Sequence, residues 1–236
     1  MELTVHTSGA YRIIIERGCM DAAGAHAGEL FKAGAKTVVI GDSNVLPLYG
    51  KRVLDSLEAA GFSASLFSFP AGEESKRLSS IEAMYAECAA RGLTRSDFIV
   101  ALGGGVTGDM AGFAAATFLR GIPFIQIPTT LLAQIDSSVG GKTGVDLPQG
   151  KNLVGAFHQP RLVLIDPDTL STLSPRYFSD GMAEGIKYGC IKSRVLFDMI
   201  VREEISQKIE ELIFHCVDIK REVVCLLYTS DAADEL

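Results

Sequence analysis

The stretch that decides the fold is residues 97–121, DFIVALGGGVTGDMAGFAAATFLRG. It begins with Phe98-Ile99-Val100, an apolar and partly β-branched run that is typical of a buried strand. Three glycines at 103–105 end this run, and apolar residues then recur at helical spacing from Met110 to Phe118. The segment is therefore predicted to form a strand, a glycine turn and a helix.

The start of such a helix is suited to binding an anion. Its first backbone amides have no helical acceptor and carry partial positive charge, and glycine lets a phosphate approach without meeting a Cβ. We therefore expect a nucleotide pyrophosphate on residues 104–108. Gly103-x-Gly105-x-x-Gly108 satisfies the dinucleotide fingerprint, although the same glycines would also serve a purely structural turn with close helix–strand packing.

Composition narrows the class of protein. The chain has 236 residues, 47% of them hydrophobic, and a net charge of −7, which argues against a general nucleic-acid or anionic-membrane binder. Its longest apolar runs are too short to span a bilayer. The five cysteines are scattered without a CxxC pair, so we expect no disulfide framework and a reducing, cytoplasmic location.

Strand and helix patterns alternate through the first two thirds of the chain, which predicts a parallel sheet with helices on its faces. In such sheets ligands bind beyond the carboxyl ends of the strands. Asp42, residues 104–109 and Thr129-Thr130 all follow predicted strands. No acidic residue follows the strand that ends near Ile127, so Asp42 is the carboxylate predicted to bind ribose hydroxyls.

Residues 137–159 are predicted to be one long, ordered connection that is rich in glycine and polar groups. Lys142 and Lys151 follow glycines there and, with Arg120 and Lys187, could clamp an anion, although a loop lysine is by default a solvated charge. Glu184 lies one helical turn before Lys187. This pair could be an ordinary surface ion pair, or a carboxylate metal ligand beside a substrate-binding lysine.

After a strand at 162–165 the sequence pattern is helical, with one apolar face that includes Ile205, Leu212, Ile213 and Val217. We divide the chain into an α/β domain at 1–175, the beginning of a helical domain at 176–224, and an atypical tail at 225–236. The histidines form no HxxxH or HExxH pattern, and His215 is interpreted as a packing or surface residue.

The residues resemble one family, 3-dehydroquinate synthase, within the sugar phosphate cyclase and glycerol-dehydrogenase-like group. The matching motifs cover most of the chain from residue 41 to about residue 224, and the run at 127–160 is highly specific. In order they are GDSNV at 41–45, PAGEESK at 70–76, ALGGGVTGDMAGFAAATFLRGI at 101–122, IPTTLLAQIDSSVGGKTGVD at 127–146, GKNLVGAFHQP at 150–160, DTLSTL at 168–173 and GMAEGIKYG at 181–189.

The resemblance implies a Rossmann-like domain that binds NAD, followed by an all-helical domain with a divalent metal, zinc or cobalt. It implies conversion of a phosphorylated keto sugar acid, 3-deoxy-D-arabino-heptulosonate 7-phosphate, to 3-dehydroquinate plus phosphate in the shikimate pathway. It assigns substrate and catalysis to Asp136, Lys142, Asn152, Lys187 and Arg120, with Arg120 reaching across a homodimer interface, and one metal ligand to Glu184. It assigns cofactor contacts to Asp42, Asn44, Glu73, Glu74, Ser75, Lys76, Gly104, Gly105, Val106, Thr107, Gly108, Asp109, Thr129, Thr130, Lys142, Lys151, Thr169, Leu170, Ser171 and Thr172.

The sequence departs from this family in its last part. The family continues further and supplies two histidine metal ligands there, and the family pattern ends at residue 225. We therefore interpret the tail as a foreign or misread end on a truncated gene fragment, with a natural variant as the alternative. We expect this chain to lack synthase activity and its helices after Ser174 to lack packing partners. The alternatives are a related sugar phosphate cyclase, a non-catalytic NAD-binding remnant and a simple polyol dehydrogenase.

Overall fold

A computed structural model describes residues 1–7, 9–202, 205 and 207–229. Within them the strands are β1 (Glu2–His6), β2 (Ala10–Ile15), β3 (Lys36–Asp42), β4 (Ser63–Phe69), β5 (Phe98–Gly103), β6 (Phe124–Pro128), β7 (Lys142–Leu147), β8 (Gly150–Phe157) and β9 (Leu162–Ile165). The α-helices are α1 (Ala23–Gly28), α2 (Lys51–Ala59), α3 (Leu78–Ala90), α4 (Gly105–Thr117), α5 (Pro175–Ile191), α6 (Arg194–Val201) and α7 (Ile209–Thr229). None of these helices combines the length and apolarity that a bilayer-spanning segment needs.

The centre of the molecule is a seven-stranded sheet in the order β1-β2-β9-β6-β5-β3-β4. Neighbouring strands are parallel except for β1 and β2. Val39 of β3 pairs with Val100 of β5, which pairs in turn with Ile125 of β6. Because β4 lies on one side of β3 and β5 on the other, the winding reverses between β3 and β5. The predicted α/β class with a parallel sheet is thus confirmed, and this reversal is where ligands bind in such sheets.

Successive residues of the central strands pack into different cores. Val38 and Ile99 face α3 and α4, whereas Val39 and Val100 face α1 and α2. Every residue of β5 is buried. Burial on both faces explains why this strand is continuously apolar instead of alternating.

Residues 137–159 are not one long connection, as predicted, but contain an antiparallel hairpin of β7 and β8. Gly144 and Gly155 pair directly, and a Cβ on Gly155 would lie 2.2 Å from the carbonyl oxygen of Thr143. The hairpin rests on α4, where a Cβ on Gly112 would lie 2.5 Å from Cγ2 of Thr143. The glycines that suggested a loop therefore allow close pairing and close packing.

The helices after Ser174 do have packing partners in the described part of the chain, contrary to expectation. Leu212, Ile213, Cys216 and Val217 of α7 are fully buried. They belong to one core with residues of β1, β2 and β9 and of the turn Ala133–Ser137. The start of the helical part is thus anchored to one end of the sheet.

The small-residue segment 20–31 forms only a 3-10 turn, Cys19–Ala22, followed by the six-residue α1. The predicted boundary of the tail differs from the structure. The tail predicted from residue 225 begins inside α7, because the sequence of this helix contains neither glycine nor proline, and Cys225 packs against the core. The remainder of that tail, 230–236, and Ser8 lie outside the described residues.

Candidate functional site

A cleft of about 670 Å³ lies at the carboxyl ends of β3, β5 and β6. This volume is within the range of small-molecule sites. The convergence of strand ends expected from the sequence is therefore present. Of the predicted cofactor residues, those that line the cleft are Asp42, Asn44, Glu73, Lys76, Gly104, Gly105, Val106, Thr107, Asp109, Thr129, Thr130 and Thr172.

The first turn of α4 forms one wall of this cleft. No side chain caps the helix, and its first amides have no intrahelical acceptor. Thr107 is fully buried, and its Oγ1 has no hydrogen-bond partner among the described residues. An anionic group at this helix terminus would accept hydrogen bonds from both kinds of donor. The wall therefore fits a phosphate.

The three glycines of the turn are required by close packing and not by an unusual backbone conformation, since none of them has a positive φ. A Cβ on Gly103 would lie 2.4 Å from Oγ1 of Thr107, and one on Gly104 would lie 3.0 Å from Cγ2 of Thr130. Gly104 and Gly105 also line the cleft, and Gly103 does not. Close packing alone therefore explains the glycine at 103. Gly104 and Gly105 are closely packed and also leave room for a ligand.

Asp42 ends β3 at the edge of the cleft. Its Oδ1 accepts hydrogen bonds from the backbone amides of Asn44 at 2.8 Å and Val45 at 3.0 Å. These bonds fix the carboxylate in place at the cleft wall. A fixed carboxylate at a strand end of this kind of sheet is suited to accept hydrogen bonds from ribose hydroxyls.

Lys76 lies deep between the cleft and the hairpin, with 5% of its surface exposed. Its Nζ donates to Oδ2 of Asp109 at 2.5 Å and to Oδ1 of Asn152 at 2.6 Å. Burial raises the pKa of Asp109 above its ordinary value, and the interaction with Lys76 only partly opposes this effect. Asp109 lines this cleft and also the neighbouring one.

The second cleft, of about 480 Å³, brings together Asp136, Lys142 and Asn152, three of the residues whose assignment to substrate stays a prediction. Asp136 accepts hydrogen bonds from Nζ of Lys220 at 2.8 Å and from the hydroxyl of Tyr188 at 2.5 Å. Burial alone would raise the pKa of Asp136, but these bonds and the charges of Lys220 and Lys187 outweigh it and hold the pKa below its usual range. The cleft thus offers a charged carboxylate and two ammonium groups.

Several predicted cofactor residues do not line either cleft. The hydroxyl of Ser75 donates to the carbonyl of Pro70, and the buried hydroxyl of Thr169 bonds Gln134 and the carbonyl of Asp166. A Cβ on Gly108 would meet the side chain of Gln126 and not open space. The remaining ones are Glu74, Lys151, which pairs with Glu73 at 2.9 Å, Leu170, which packs against the core, and Ser171, which is exposed.

Two predicted catalytic residues line neither cleft. Lys187 forms an ion pair with Glu184 on α5 and is about half exposed. Arg120 ends the turn Phe118–Arg120 after α4, about 20 Å along this helix from the glycine turn. Leu119 and Arg120 both have positive φ, of 51° and 68°. The prediction that Arg120 serves a second copy of the chain is not tested by its position.

The described residues do not form a metal site. Among them, no group of three or more His, Cys, Asp or Glu side chains is close enough to hold a metal ion. A catalytic zinc needs three protein ligands. The side chain of Glu184 instead pairs with Lys187, and His215 packs edge-on against Phe214. The role of Glu184 as a metal ligand stays a prediction.

Sequence reasoning missed two residues around the second cleft, Lys220 and Tyr188. Lys220 continues the buried stripe of α7, four residues after Cys216 and four before Val224. A charge inside an apolar stripe usually has a partner, which here is Asp136. That position in the stripe was the available signal.

The fold and the clefts define the class: a doubly wound α/β protein in which a helix without a side-chain cap begins at the switch point. Comparison with solved structures agrees. A 2-deoxy-scyllo-inosose synthase complexed with carbaglucose-6-phosphate, NAD⁺ and Co²⁺ matches with a TM-score of 0.81 and 26% identity, over 95% of this chain and 62% of that one. A 2-epi-5-epi-valiolone synthase from Streptomyces hygroscopicus, with NAD⁺ and Zn²⁺ bound, matches with a TM-score of 0.75 and 30% identity, over 92% and 60%.

Sequence comparison identifies the family. Residues 66–180 match the family model of the 3-dehydroquinate synthase N-terminal domain. The 3-dehydroquinate synthase of Clostridium beijerinckii is 49% identical over 219 residues, 91% of this chain and 62% of that relative, and the one of Streptococcus suis is 48% identical over 230 residues, 95% and 64%. The chain belongs to the 3-dehydroquinate synthase family and corresponds to the N-terminal part of these relatives. It spans less than two thirds of their length.

Proposed function

We propose that this chain forms the cofactor-binding part of a 3-dehydroquinate synthase. The whole enzyme would convert 3-deoxy-D-arabino-heptulosonate 7-phosphate to 3-dehydroquinate plus phosphate, in the shikimate pathway. The observation that carries the proposal is the start of α4, where no described side chain caps the helix and the hydroxyl of Thr107 has no hydrogen-bond partner among the described residues. It lies in a cleft that adjoins a second cleft rich in charged groups. The names of the relatives and the ligands of the two solved synthases support it.

The residues of the first cleft fit NAD. The start of α4 and Thr107 would hold the pyrophosphate, and Asp42 would hold a ribose. NAD⁺ bound there would accept a hydride from the substrate and return it later, so that the cofactor is not consumed. The protein holds the pyrophosphate with fixed amides, which need not reorganise during the reaction.

The residues of the second cleft fit an anionic, hydroxylated substrate. Lys142 and Lys220 would balance the charge of a carboxylate or phosphate, and the charged Asp136 would accept a hydrogen bond from a hydroxyl. Asn152 lines the same cleft. These side chains orient the substrate beside the cofactor, which is a large part of what such a site contributes to the rate.

The metal of the family finds no complete site among the described residues. We therefore expect the 236-residue polypeptide to bind NAD⁺ without stoichiometric zinc or cobalt and without turnover. In the whole protein we propose a divalent metal with Glu184 as one ligand, a cytoplasmic homodimer, and Arg120 acting on the phosphate of a substrate in the second copy. Bound metal in the purified 236-residue chain, together with phosphate release from the substrate, would contradict the expectation that this polypeptide lacks metal and turnover.

Calorimetry with NAD⁺ tests the cofactor site. Thr107→Val removes a hydroxyl that has no hydrogen-bond partner among the described residues, so the free energy of unfolding should not fall, whereas NAD⁺ affinity should fall about tenfold. Thr117→Val, the same change at the other end of α4, is the control and should leave the affinity unchanged. An absence of NAD⁺ binding to the unmodified chain would refute the proposal.

A related sugar phosphate cyclase is the second candidate, favoured by the two solved synthases described above. It would use the same cofactor cleft and differ in the substrate. A panel of sugar phosphates tested on the full-length protein separates the two activities. A polyol dehydrogenase, in contrast, would release NADH with glycerol, and a non-catalytic remnant would bind NAD⁺ but turn over no substrate even at full length.

A further inference from the structure

Lys76 lines the first cleft and also contacts two other parts of the chain, α4 and the β7–β8 hairpin. It follows the 3-10 turn Glu73–Ser75 and precedes α3, so it belongs neither to α4 nor to the β7–β8 hairpin. Its buried ammonium bonds one residue of each, Asp109 and Asn152. Its carbonyl oxygen accepts a further hydrogen bond, of 2.8 Å, from the backbone amide of Asp146 in β7. One residue therefore holds the hairpin by both backbone and side chain.

The hairpin end that Lys76 holds is internally fixed. Oδ1 of Asp146 accepts a hydrogen bond of 2.7 Å from the backbone amide of Asn152, and Asn152 has a φ of 55°. This left-handed conformation is one that asparagine tolerates better than most residues. In this conformation the side-chain oxygen Oδ1 of Asn152 accepts a hydrogen bond from Nζ of Lys76, at 2.6 Å. The hairpin also carries Lys142, so its placement sets two groups of the second cleft.

Lys76 also connects the two clefts. It lines the first, Asn152 lines the second, and Asp109 lines both. With only 5% of its surface exposed, Lys76 offers little area to a ligand, but any negative charge beside it changes the balance of its bonds to Asp109 and Asn152. A shared buried cation is thus a direct physical link between a ligand in one cleft and a side chain in the other.

We propose that Lys76 is a positioning residue that couples occupancy of the first cleft to the placement of the β7–β8 hairpin, and through it to Asn152 and Lys142. Such coupling requires that a ligand favour one hairpin placement over others. The choice of NAD⁺ as the ligand rests on the proposed function. The tether itself rests only on the contacts within the chain.

Amide hydrogen exchange on the 236-residue chain tests the tether without any ligand. Lys76→Met should speed exchange in residues 143–157 about tenfold or more, because a charge-assisted bond no longer opposes local opening. Lys51→Met is the matched control, the same change at an exposed lysine on α2 that pairs with Asp55. Unchanged exchange in the hairpin of Lys76→Met would overturn the proposal.

Addition of NAD⁺ then tests the coupling. In the unmodified chain it should slow exchange both at the start of α4 and in the hairpin, and in Lys76→Met only at the start of α4. A purely structural lysine would loosen the hairpin but would not transmit binding. If NAD⁺ protects α4 but not the hairpin of the unmodified chain, the coupling is refuted. If NAD⁺ protects neither, the proposed function is refuted, and the exchange measured without ligand still tests whether Lys76 holds the hairpin.

A second pair of variants guards against misfolding of Lys76→Met. Asn152→Gly removes the acceptor but keeps a residue that adopts positive φ without strain, and Asn152→Asp keeps an acceptor for Lys76. The glycine variant should lose NAD⁺-dependent protection in residues 143–149, and the aspartate variant should retain it. Equal protection in both variants would show that the Lys76–Asn152 bond carries no coupling.

Discussion

Leu212→Ala tests whether the helices after Ser174 are an integral part of the folded unit. Leu212 is fully buried in the core that α7 shares with β1, β2 and the turn Ala133–Ser137. If this core exists in solution, loss of the side chain must lower the free energy of unfolding of the whole chain. If α7 is only loosely attached, the loss affects α7 alone.

The size of the effect follows from burial. Leucine-to-alanine changes at fully buried sites cost about 2–5 kcal/mol, since the lost transfer free energy adds to that of the cavity. Leu226, also on α7, has 66% of its surface exposed and provides the matched control. Leu226→Ala should change stability by less than about 0.5 kcal/mol.

Urea unfolding measures this difference. With an m value of about 2–3 kcal/mol per molar urea, a loss of about 3 kcal/mol lowers the midpoint by about 1 M or more. The chain has no tryptophan, so far-UV circular dichroism and tyrosine fluorescence are the two probes. Coincident curves indicate one cooperative unit. A midpoint shift no larger than that of Leu226→Ala, or an early transition in dichroism alone, would show that α7 is not part of the core.

Two further results are expected. The pKa of Asp136 is lowered in the folded chain, so its stabilising contribution is present above the ordinary Asp pKa and is lost as pH falls through the folded-state pKa. The pKa of Asp109 is raised, so its contribution to stability falls as pH rises from the ordinary Asp pKa through the folded-state pKa. Melting temperatures between about pH 3 and pH 7 should therefore differ from those of Asp136→Asn and Asp109→Asn with opposite pH slopes, and slopes of the same sign would contradict the assignment. Gly112→Ala should lower the free energy of unfolding by about 1–3 kcal/mol, because the added methyl group collides with Thr143. Adding Thr143→Ser, which removes only the methyl group of Thr143, should restore more than half of this loss. If the effects of the two substitutions simply add, the collision is not the cause.

The sheet was predictable from the sequence because its signals are local. The apolar run of β5, the glycines and the periodicity of α4 lie within 25 consecutive residues, and burial on both faces leaves such strands little choice of sequence. The β7–β8 hairpin was not predictable in this way. Its glycines face one another across strands, at Gly144 and Gly155, and read one after the other they look like a loop. Pairing between distant residues has no local signature.

The same distinction applies to the site. Residues at or just after strand ends, such as Asp42 and Thr130, line the first cleft, because the carboxyl ends of these strands meet at one edge of the sheet. Thr169 lies close in sequence to Thr172 but is turned into the interior, where Gln134 binds its hydroxyl. A motif match indicates that a segment is near a site. Only the direction of each side chain determines which residue touches a ligand, and that direction depends on partners elsewhere in the chain.

The two carboxylates of the second cleft show what such partners do. Asp109 and Asp136 are both partly withdrawn from water, and burial favours the neutral form of each. Asp136 has a lysine and a tyrosine as donors and a second lysine near it, whereas Asp109 has Lys76, which it shares with Asn152. Their pKa values therefore move in opposite directions. Since Asp136 stays charged, Asp109 is the carboxylate of this cleft whose proton affinity a ligand beside Lys76 can change, and it is the one that also faces the first cleft.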